Sequence, residues 1–219
     1  IGYKGMVLPS RLPQLYPDLR RADLESSVVV FHQRFSTNTS SRWSLAQPFR
    51  MLAHNGEINT ITGNRAWAQA RAHVWRSEHI DPREFEPVIE TDGSDSQSLD
   101  AMLDLLEAGG MDALKAMRIL VPPATQSLEY KDADLAAFYE YYALNSEPWD
   151  GPAGIVLFDG RYAACTLDRN GLRPARWQLT RDRYFLIASE AGVWDVPAAD
   201  VLRKGKLGPG QMIAADLRD

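Results

Sequence analysis

The chain has 219 residues, of which 45% are hydrophobic and 24% are charged, a composition that supports one substantial globular core. The net charge of −5 argues against a nucleic-acid-binding surface, and no apolar run approaches the length of a membrane-spanning helix. The N-terminal sequence lacks a secretory signal, and one cysteine, Cys165, cannot form an intrachain disulfide. These features favour a reducing compartment.

Signatures of metal and phosphate sites are also absent from the sequence. A single cysteine cannot supply the thiolates of a zinc or iron–sulfur site. The glycine cluster at 203–212 does not lie between a strand and a helix, so we interpret it as a turn and not as a phosphate-binding loop. Two histidines are predicted to face solvent or an interface on an amphipathic helix, and none of the four has metal-ligand spacing: His32, His54, His73 and His79.

The first sixty residues are predicted to contain two short strands. Residues 1–26 are rich in proline and irregular. Ser27–Phe31 is short and β-branched, which is typical of a buried strand, and Phe49–Ala53 predicts a second one. The second strand leads into Asn55 and Gly56, a pair that is a strong signal for a turn.

Helical patterns dominate the middle of the chain. A helix is predicted over 62–78, and Ser94–Gln97 has the form of a capping box at the start of another. Glycines at 109 and 110 predict the end of that helix, and a short helix over 111–120 precedes two prolines. A fourth helix is predicted over 134–144. Apolar positions are expected in three of these helices: Trp67, Ala70 and Val74 in the first, Leu99, Met102, Leu103 and Leu106 in the second, and Leu135, Phe138, Tyr139 and Tyr142 in the last.

The C-terminal part is predicted to be a run of antiparallel strands. Gly154–Phe158 and Arg161–Leu167 are apolar runs joined by Asp159 and Gly160, a strong hairpin signal. This partial segregation of helices and strands favours an α+β fold with a mainly antiparallel sheet, and no linker marks a boundary within residues 1–219. Three further strands are predicted at Ala175–Leu179, Tyr184–Ser189 and Gln211–Asp216.

The polar segment His32–Thr60 is the best candidate for a binding site. Arg34 follows a predicted buried strand, and its rigid guanidinium suits a carboxylate, although it could instead pair with a structural acid. The small polar residues beside it offer hydroxyls and an amide, or could cap turns: Ser36, Thr37, Asn38 and Thr39.

Asn55-Gly56 and Asp95 each have two interpretations. Asn55 and Gly56 form either a tight hairpin turn or an oxyanion hole, in which a side-chain amide and a backbone N–H converge on one oxygen. Asp95 is either a helix-capping acid or a carboxylate that holds a substrate ammonium. Together with Arg34, these groups match an α-amino acid whose distal carbonyl is attacked.

The motifs RFSTNT, LAQPFR, LAHNGEINT, GN, SDS, LDRNGLRP and ASE resemble the glutaminase domain of the glutamate synthase large subunit, a class II, N-terminal-nucleophile glutamine amidotransferase. The resemblance covers essentially the whole chain, 1–219, as part of a single domain. It implies a four-layer αββα fold with two mainly antiparallel sheets between helices, incomplete at the N-terminus.

The resemblance also implies roles for individual residues. Arg34 would bind the glutamine α-carboxylate with Thr37 close by, Asp95 would bind the α-ammonium, and Asn55 with the N–H of Gly56 would form the oxyanion hole. In the family, an N-terminal cysteine activated by its own amine attacks the side-chain amide, ammonia leaves, and water hydrolyses the thioester.

The nucleophile of that reaction is missing, because the chain begins with Ile1. The sequence therefore resembles an internal fragment that is inactive alone, with the cysteine supplied from upstream. Cys165 lies on a predicted strand and is better interpreted as a buried small hydrophobe. Two alternatives stay open: a non-catalytic binding or assembly module that keeps the fold, and the glutaminase domain of another class II amidotransferase.

Cofactors and partners follow from the resemblance. None is expected on this chain, whereas the full enzyme is expected to use FMN and an iron–sulfur cluster to convert 2-oxoglutarate to glutamate. The expected partners are glutamine, glutamate and the remainder of the large subunit, with a small electron-transfer subunit as a candidate. No nucleic-acid or membrane partner is expected, and the expected location is the cytoplasm, or a plastid in a plant.

Overall fold

The computed structural model describes residues 1–34, 39–124 and 132–218, and it has an α+β fold with two antiparallel sheets. The predicted fold class is therefore confirmed. None of the described helices is long and apolar enough to cross a membrane. The helices are α1 (Leu12–Leu15), α2 (Ile61–Arg71), α3 (Asp95–Ala108), α4 (Ala113–Leu120) and α5 (Ala133–Asn145). The strands are β1 (Leu52–Gly56), β2 (Ala153–Phe158), β3 (Tyr162–Leu167), β4 (Arg176–Thr180), β5 (Phe185–Ala188), β6 (Val201–Lys206) and β7 (Met212–Asp216).

The larger sheet, called sheet A, has the strand order β1-β2-β3-β7 with every pairing antiparallel. Strands β2 and β3 form the predicted hairpin around Asp159 and Gly160, and Gly160 has a φ of 98°, which glycine adopts readily. Strand β1 lies at one edge of sheet A and pairs with β2. The candidate oxyanion residues therefore lie on an edge strand.

The smaller sheet, sheet B, has the order β5-β4-β6 and packs against one face of sheet A. Val156 and Cys165, which pair across β2 and β3, belong to the same apolar cluster as Ile187 of β5. The opposite face of sheet A, with Ile155 and Leu157, belongs to the main core with helices α3 and α4. Helices, sheet A and sheet B thus form three of the four expected layers, and a second helical layer stays a prediction.

Helix α3 begins and ends as the sequence indicates. The Ser94 hydroxyl accepts a hydrogen bond from the N–H of Gln97 at 3.0 Å, and Gly109 caps the C-terminus. Leu99 and Leu103 are fully buried, so the predicted apolar face of this helix is confirmed. Helix α4 is also confirmed, and Asp112 caps its first turn.

The predicted apolar face of α2 is wrong. Trp67 and Val74 are about half exposed, whereas the buried side chains are Asn64 and Ala68. Asn64 is buried because its amide is satisfied: its oxygen accepts from the Thr60 hydroxyl and its nitrogen donates to the Pro148 carbonyl. In α5 only Tyr139 of the predicted apolar positions is buried.

Three strand-level predictions also differ from the structure. Ser27–Phe31 is not a strand, because no described strand pairs with it; Val29 is 71% exposed. Asn55 and Gly56 lie inside β1, so the turn interpretation is wrong. The 203–212 cluster contains the predicted turn, closed by a hydrogen bond from the N–H of Gln211 to the Gly208 carbonyl, but residues 203–206 belong to β6, where Gly205 leaves room for the Trp177 ring.

Candidate functional site

Strand β1 is held to helix α3 by a buried carboxylate. Asp100 is 6% exposed, and its Oδ1 accepts hydrogen bonds from the N–H groups of Met51 and Leu52, each at 2.9 Å. Its Oδ2 accepts a third from the N–H of Arg50 at 3.2 Å. Burial raises the pKa of Asp100 above its ordinary value, although these three donors oppose the shift. The carboxylate fixes the position of the strand that carries Asn55 and Gly56.

The free edge of β1 receives a second anchor from Gln47. Its side chain accepts from the N–H of His54 at 2.6 Å and donates to the His54 carbonyl at 3.1 Å, as a neighbouring strand would. The N–H groups of Leu52 and His54 thus both point away from β2. Because N–H directions alternate along a strand, the N–H of Gly56 points outward in the same direction.

Gly56 is required by the close approach of another backbone segment. It has a φ of 156°, and a β-carbon at this position would lie 1.8 Å from the carbonyl oxygen of Pro152. The neighbouring Asn55 is exposed, and its side chain has no hydrogen bond to a residue in the described ranges. An unpaired amide and an outward N–H therefore lie next to each other, as an oxyanion hole requires.

Asp95, the first residue of α3, is oriented by donors on both oxygens. Its Oδ2 accepts from the N–H of Ile58 at 2.7 Å. Its Oδ1 accepts from the N–H of Ser96 at 2.7 Å and from the Ser96 hydroxyl at 3.2 Å. Because Ile58 directly follows the Asn55–Glu57 segment, Asp95 lies beside the end of β1.

His54, which directly precedes Asn55, is a neighbour of the candidate site that sequence reasoning missed. Its ring is buried, and Nδ1 lies 2.8 Å from the hydroxyl oxygen of Ser96. Burial lowers the pKa of His54 to about 4, and nearby His32 and Arg173 lower it further, whereas Asp95 opposes them. Spacing rules test histidines as metal ligands, so they gave no signal here. The position beside Asn55 and Gly56 was the available signal.

The other predicted site residues are less well connected. Arg34 is exposed, and no hydrogen bond joins its side chain to Asn55, Gly56 or Asp95. Thr37 lies outside the described residues, so its predicted role stays a prediction.

Two cavities of about 440 and 430 Å³ are lined by described residues, and none of the predicted site residues lines either one. They are formed by Trp75–Arg83 and by the exposed face of sheet B.

The LDRNGLRP motif forms a turn against β2. Asp168 accepts hydrogen bonds from several backbone N–H groups, including that of Ala153 at 3.0 Å. Gly154 pairs with Asn55 across β1 and β2, and a β-carbon added at Gly154 would lie 3.3 Å from the Cβ of Arg173. The motif therefore lies next to the candidate oxyanion residues.

Cys165 is a buried apolar residue, as expected. It is 2% exposed between sheets A and B, and burial raises its pKa to about 12. A thiol with this pKa carries almost no thiolate at neutral pH. Cys165 therefore does not replace an N-terminal nucleophile.

Comparison with known proteins gives relatives over the whole chain. The ferredoxin-dependent glutamate synthase of Pyropia yezoensis is 46% identical over 99% of this chain and 14% of its own length. The NADPH glutamate synthase large chain of Azospirillum brasilense is 44% identical over 100% of this chain, again 14% of its length. The chain therefore spans about one seventh of these relatives.

Among solved structures, the glutamine phosphoribosylpyrophosphate amidotransferase of B. subtilis, complexed with ADP and GMP, matches with a TM-score of 0.47. It is 18% identical over 85% of this chain and 32% of its own. The sequence profile described as "Glutamine amidotransferases class-II" matches residues 1–219. The chain belongs to the class II glutamine amidotransferase family.

Proposed function

We propose that this chain is the glutamine-binding part of the glutaminase domain of a glutamate synthase, and that it releases ammonia from glutamine once a cysteine nucleophile is present. Its similarity to glutamate synthases from several organisms supports the assignment. The observation that carries it is the junction of β1 and α3, where Asp95 accepts a hydrogen bond from the N–H of Ile58, two residues after Gly56.

In this proposal the candidate site residues bind different parts of glutamine. Asp95 accepts the α-ammonium, and its two oxygens are already oriented by backbone donors. The Asn55 amide and the Gly56 N–H stabilise the oxyanion that forms when the thiolate adds to the side-chain carbonyl. Arg34 binds the α-carboxylate, with Thr37 beside it. Ammonia then leaves, and water cleaves the thioester to give glutamate.

The overall reaction proposed for the complete protein is the conversion of glutamine, 2-oxoglutarate and reductant to two molecules of glutamate. The expected iron–sulfur cluster does not fit this chain, because its single cysteine is buried and cannot supply a cluster's thiolates. We therefore assign the cluster to the remainder of the protein, and we propose that FMN and contacts with any electron-transfer subunit lie there too. A cytoplasmic or plastid location is part of the same proposal; the relative from Oryza sativa is chloroplastic.

Residues 1–219 are proposed to belong to one domain. Sheet A supports this, because it joins β1, near residue 54, to β7, which ends at Asp216. Separate N- and C-terminal domains would not share a four-stranded sheet.

Binding of glutamine to the chain tests the proposal without any need for the nucleophile. Isothermal titration should show a saturable site for L-glutamine, and Asp95→Asn should weaken binding at least tenfold because a charge-assisted hydrogen bond is lost. Asp92→Asn is the matched control, since Asp92 lies three residues earlier and is exposed. Saturable binding that is unaffected by Asp95→Asn would contradict the role of Asp95.

Catalysis requires a second measurement. The chain alone should hydrolyse glutamine no faster than buffer. A longer polypeptide from the same gene that carries an N-terminal cysteine should release ammonia. A rate in the short chain that Cys165→Ala abolishes would overturn the assignment of the nucleophile. Binding without ammonia release by the longer polypeptide would indicate a non-catalytic module.

A further inference from the structure

A hydrogen-bonded loop connects β1 to the N-terminus of α3 around the candidate glutamine site. It runs from the His54 ring to the Ser96 hydroxyl at 2.8 Å, and from that hydroxyl to Asp95 Oδ1 at 3.2 Å. The other carboxylate oxygen, Oδ2, returns to the backbone that follows β1 through the N–H of Ile58. Two contacts therefore fix Asp95 relative to the strand that carries Asn55 and Gly56.

Only one assignment of hydrogens lets the Ser96 hydroxyl bond to both Asp95 and His54. Ionised Asp95 can only accept, so the single hydrogen of the Ser96 hydroxyl points to Asp95. The Ser96 oxygen then accepts from His54, which must carry its hydrogen on Nδ1. His54 Nε2 then carries no hydrogen and forms no hydrogen bond to a described residue, so one buried nitrogen of the network stays unsatisfied; the opposite tautomer would direct an Nε2–H towards the backbone carbonyl of Pro152. The ring is neutral, since burial disfavours its charged form.

We propose that His54 and Ser96 are positioning residues that hold the Asp95 carboxylate in the orientation that binds the α-ammonium of glutamine. The inference rests on the proposed function and adds two residues to it. Ser96 is 2% exposed, so water does not readily replace its hydroxyl as a donor to Asp95. Without that donor the carboxylate keeps its two backbone partners, at Ser96 and Ile58, but Oδ1 loses the second of its two donors.

The test compares ligands with and without the α-ammonium. L-Glutamine and 4-carbamoylbutanoate share the side-chain amide and a carboxylate, but only glutamine has the amine that Asp95 would bind. Ser96→Ala should weaken glutamine binding to the chain about tenfold and leave 4-carbamoylbutanoate binding unchanged. A general structural defect would weaken the binding of both ligands equally.

Ser98→Ala is the matched control. Ser98 lies on the same helix and is also 2% exposed, but its hydroxyl donates to the Ser94 carbonyl and does not contact Asp95. Ser98→Ala should leave the affinity for both ligands unchanged. An equal effect of Ser96→Ala and Ser98→Ala on glutamine binding would overturn the proposal.

Two variants of His54 distinguish its role as a hydrogen-bond donor to Ser96 from its role in packing. His54→Asn places an amide N–H near the position of Nδ1 and should retain the preference for glutamine, whereas His54→Leu should lose it. In the ¹⁵N spectrum of the wild-type chain, the His54 Nε2 signal should be that of an unprotonated nitrogen at neutral pH. A protonated Nε2 would refute the assigned network.

The outcomes also separate this inference from the proposed function. Absence of glutamine binding by the folded wild-type chain would count against both. Glutamine binding that needs Asp95 but not Ser96 or His54 would refute the positioning role and keep the proposed function.

Discussion

Replacement of Asp100 by alanine should destabilise the protein far more than an exposed acidic residue would. The carboxylate of Asp100 is the partner of three backbone N–H groups at the start of β1. Two of these belong to Met51 and Leu52, which are 5% and 0% exposed, so water cannot reach them without local opening. The third belongs to Arg50, which is exposed and can bind water instead.

The magnitude follows from the two buried donors. An unsatisfied buried N–H costs about 1–3 kcal/mol, which gives a loss of about 2–6 kcal/mol for the pair. Removal of a carboxylate whose pKa is raised by burial offsets part of this loss. We expect a net loss of about 2–4 kcal/mol, a large share of the stability of a typical domain.

Urea unfolding at pH 7, followed by tryptophan fluorescence, measures the free energy of unfolding. Asp104→Ala is the matched control, because Asp104 lies one turn further along α3 and pairs with the Arg50 side chain, which is 68% exposed. That surface ion pair should contribute less than about 1 kcal/mol. If Asp100→Ala and Asp104→Ala lose the same stability, the reasoning about buried N–H groups is wrong.

Three more predictions concern single residues. Between pH 6.5 and 4, His54 is protonated in the unfolded chain but not in the folded chain. The free energy of unfolding should therefore fall by up to about 3 kcal/mol as the pH falls through this range. Acid unfolding of His54→Asn should lack this pH-dependent loss. Gly56→Ala should lower the free energy of unfolding, measured in urea, by more than about 3 kcal/mol, because the added β-carbon would collide with the Pro152 carbonyl. Gly63→Ala, in open space on α2, should raise it by about 0.5–1 kcal/mol. A small loss of stability in Gly56→Ala would contradict the close approach of Pro152. Cys165 should resist a thiol reagent in the folded chain at pH 8 and react only after unfolding, and rapid labelling would show that the sheets do not bury it.

Local signals in the sequence predicted local structure well. Helix α3 has a serine cap, apolar positions three and four residues apart and terminal glycines, and the Asp159-Gly160 hairpin has its turn residues between two apolar runs. Strand β6 gave no such signal, because its lysines, arginine and glycine are exposed or half-exposed and its position depends on pairing with β4.

In the candidate site, too, local sequence signals identified residues but not the distant contacts that position them. The motifs indicated Asn55, Gly56 and Asp95, but the contacts that join their two segments are long-range: His54 contacts Ser96 and Ile58 contacts Asp95 across about forty residues of sequence. Spacing rules use only residues that are close together in the sequence, so from the Asn55-Gly56 pair alone they predicted a turn. The carbonyl of Pro152, almost one hundred residues away, is what requires Gly56.

The edge position of β1 has a consequence for folding. Its partner strand in the described residues, β2, is about one hundred residues later in the chain, so pairing requires closure of a long loop. Contact with α3 through Asp100 spans only about fifty residues and can form while β2 is still distant. We expect α3 and the start of β1 to dock first, and the β1–β2 ladder, which places the Pro152 carbonyl against Gly56, to complete the site in a later and slower step.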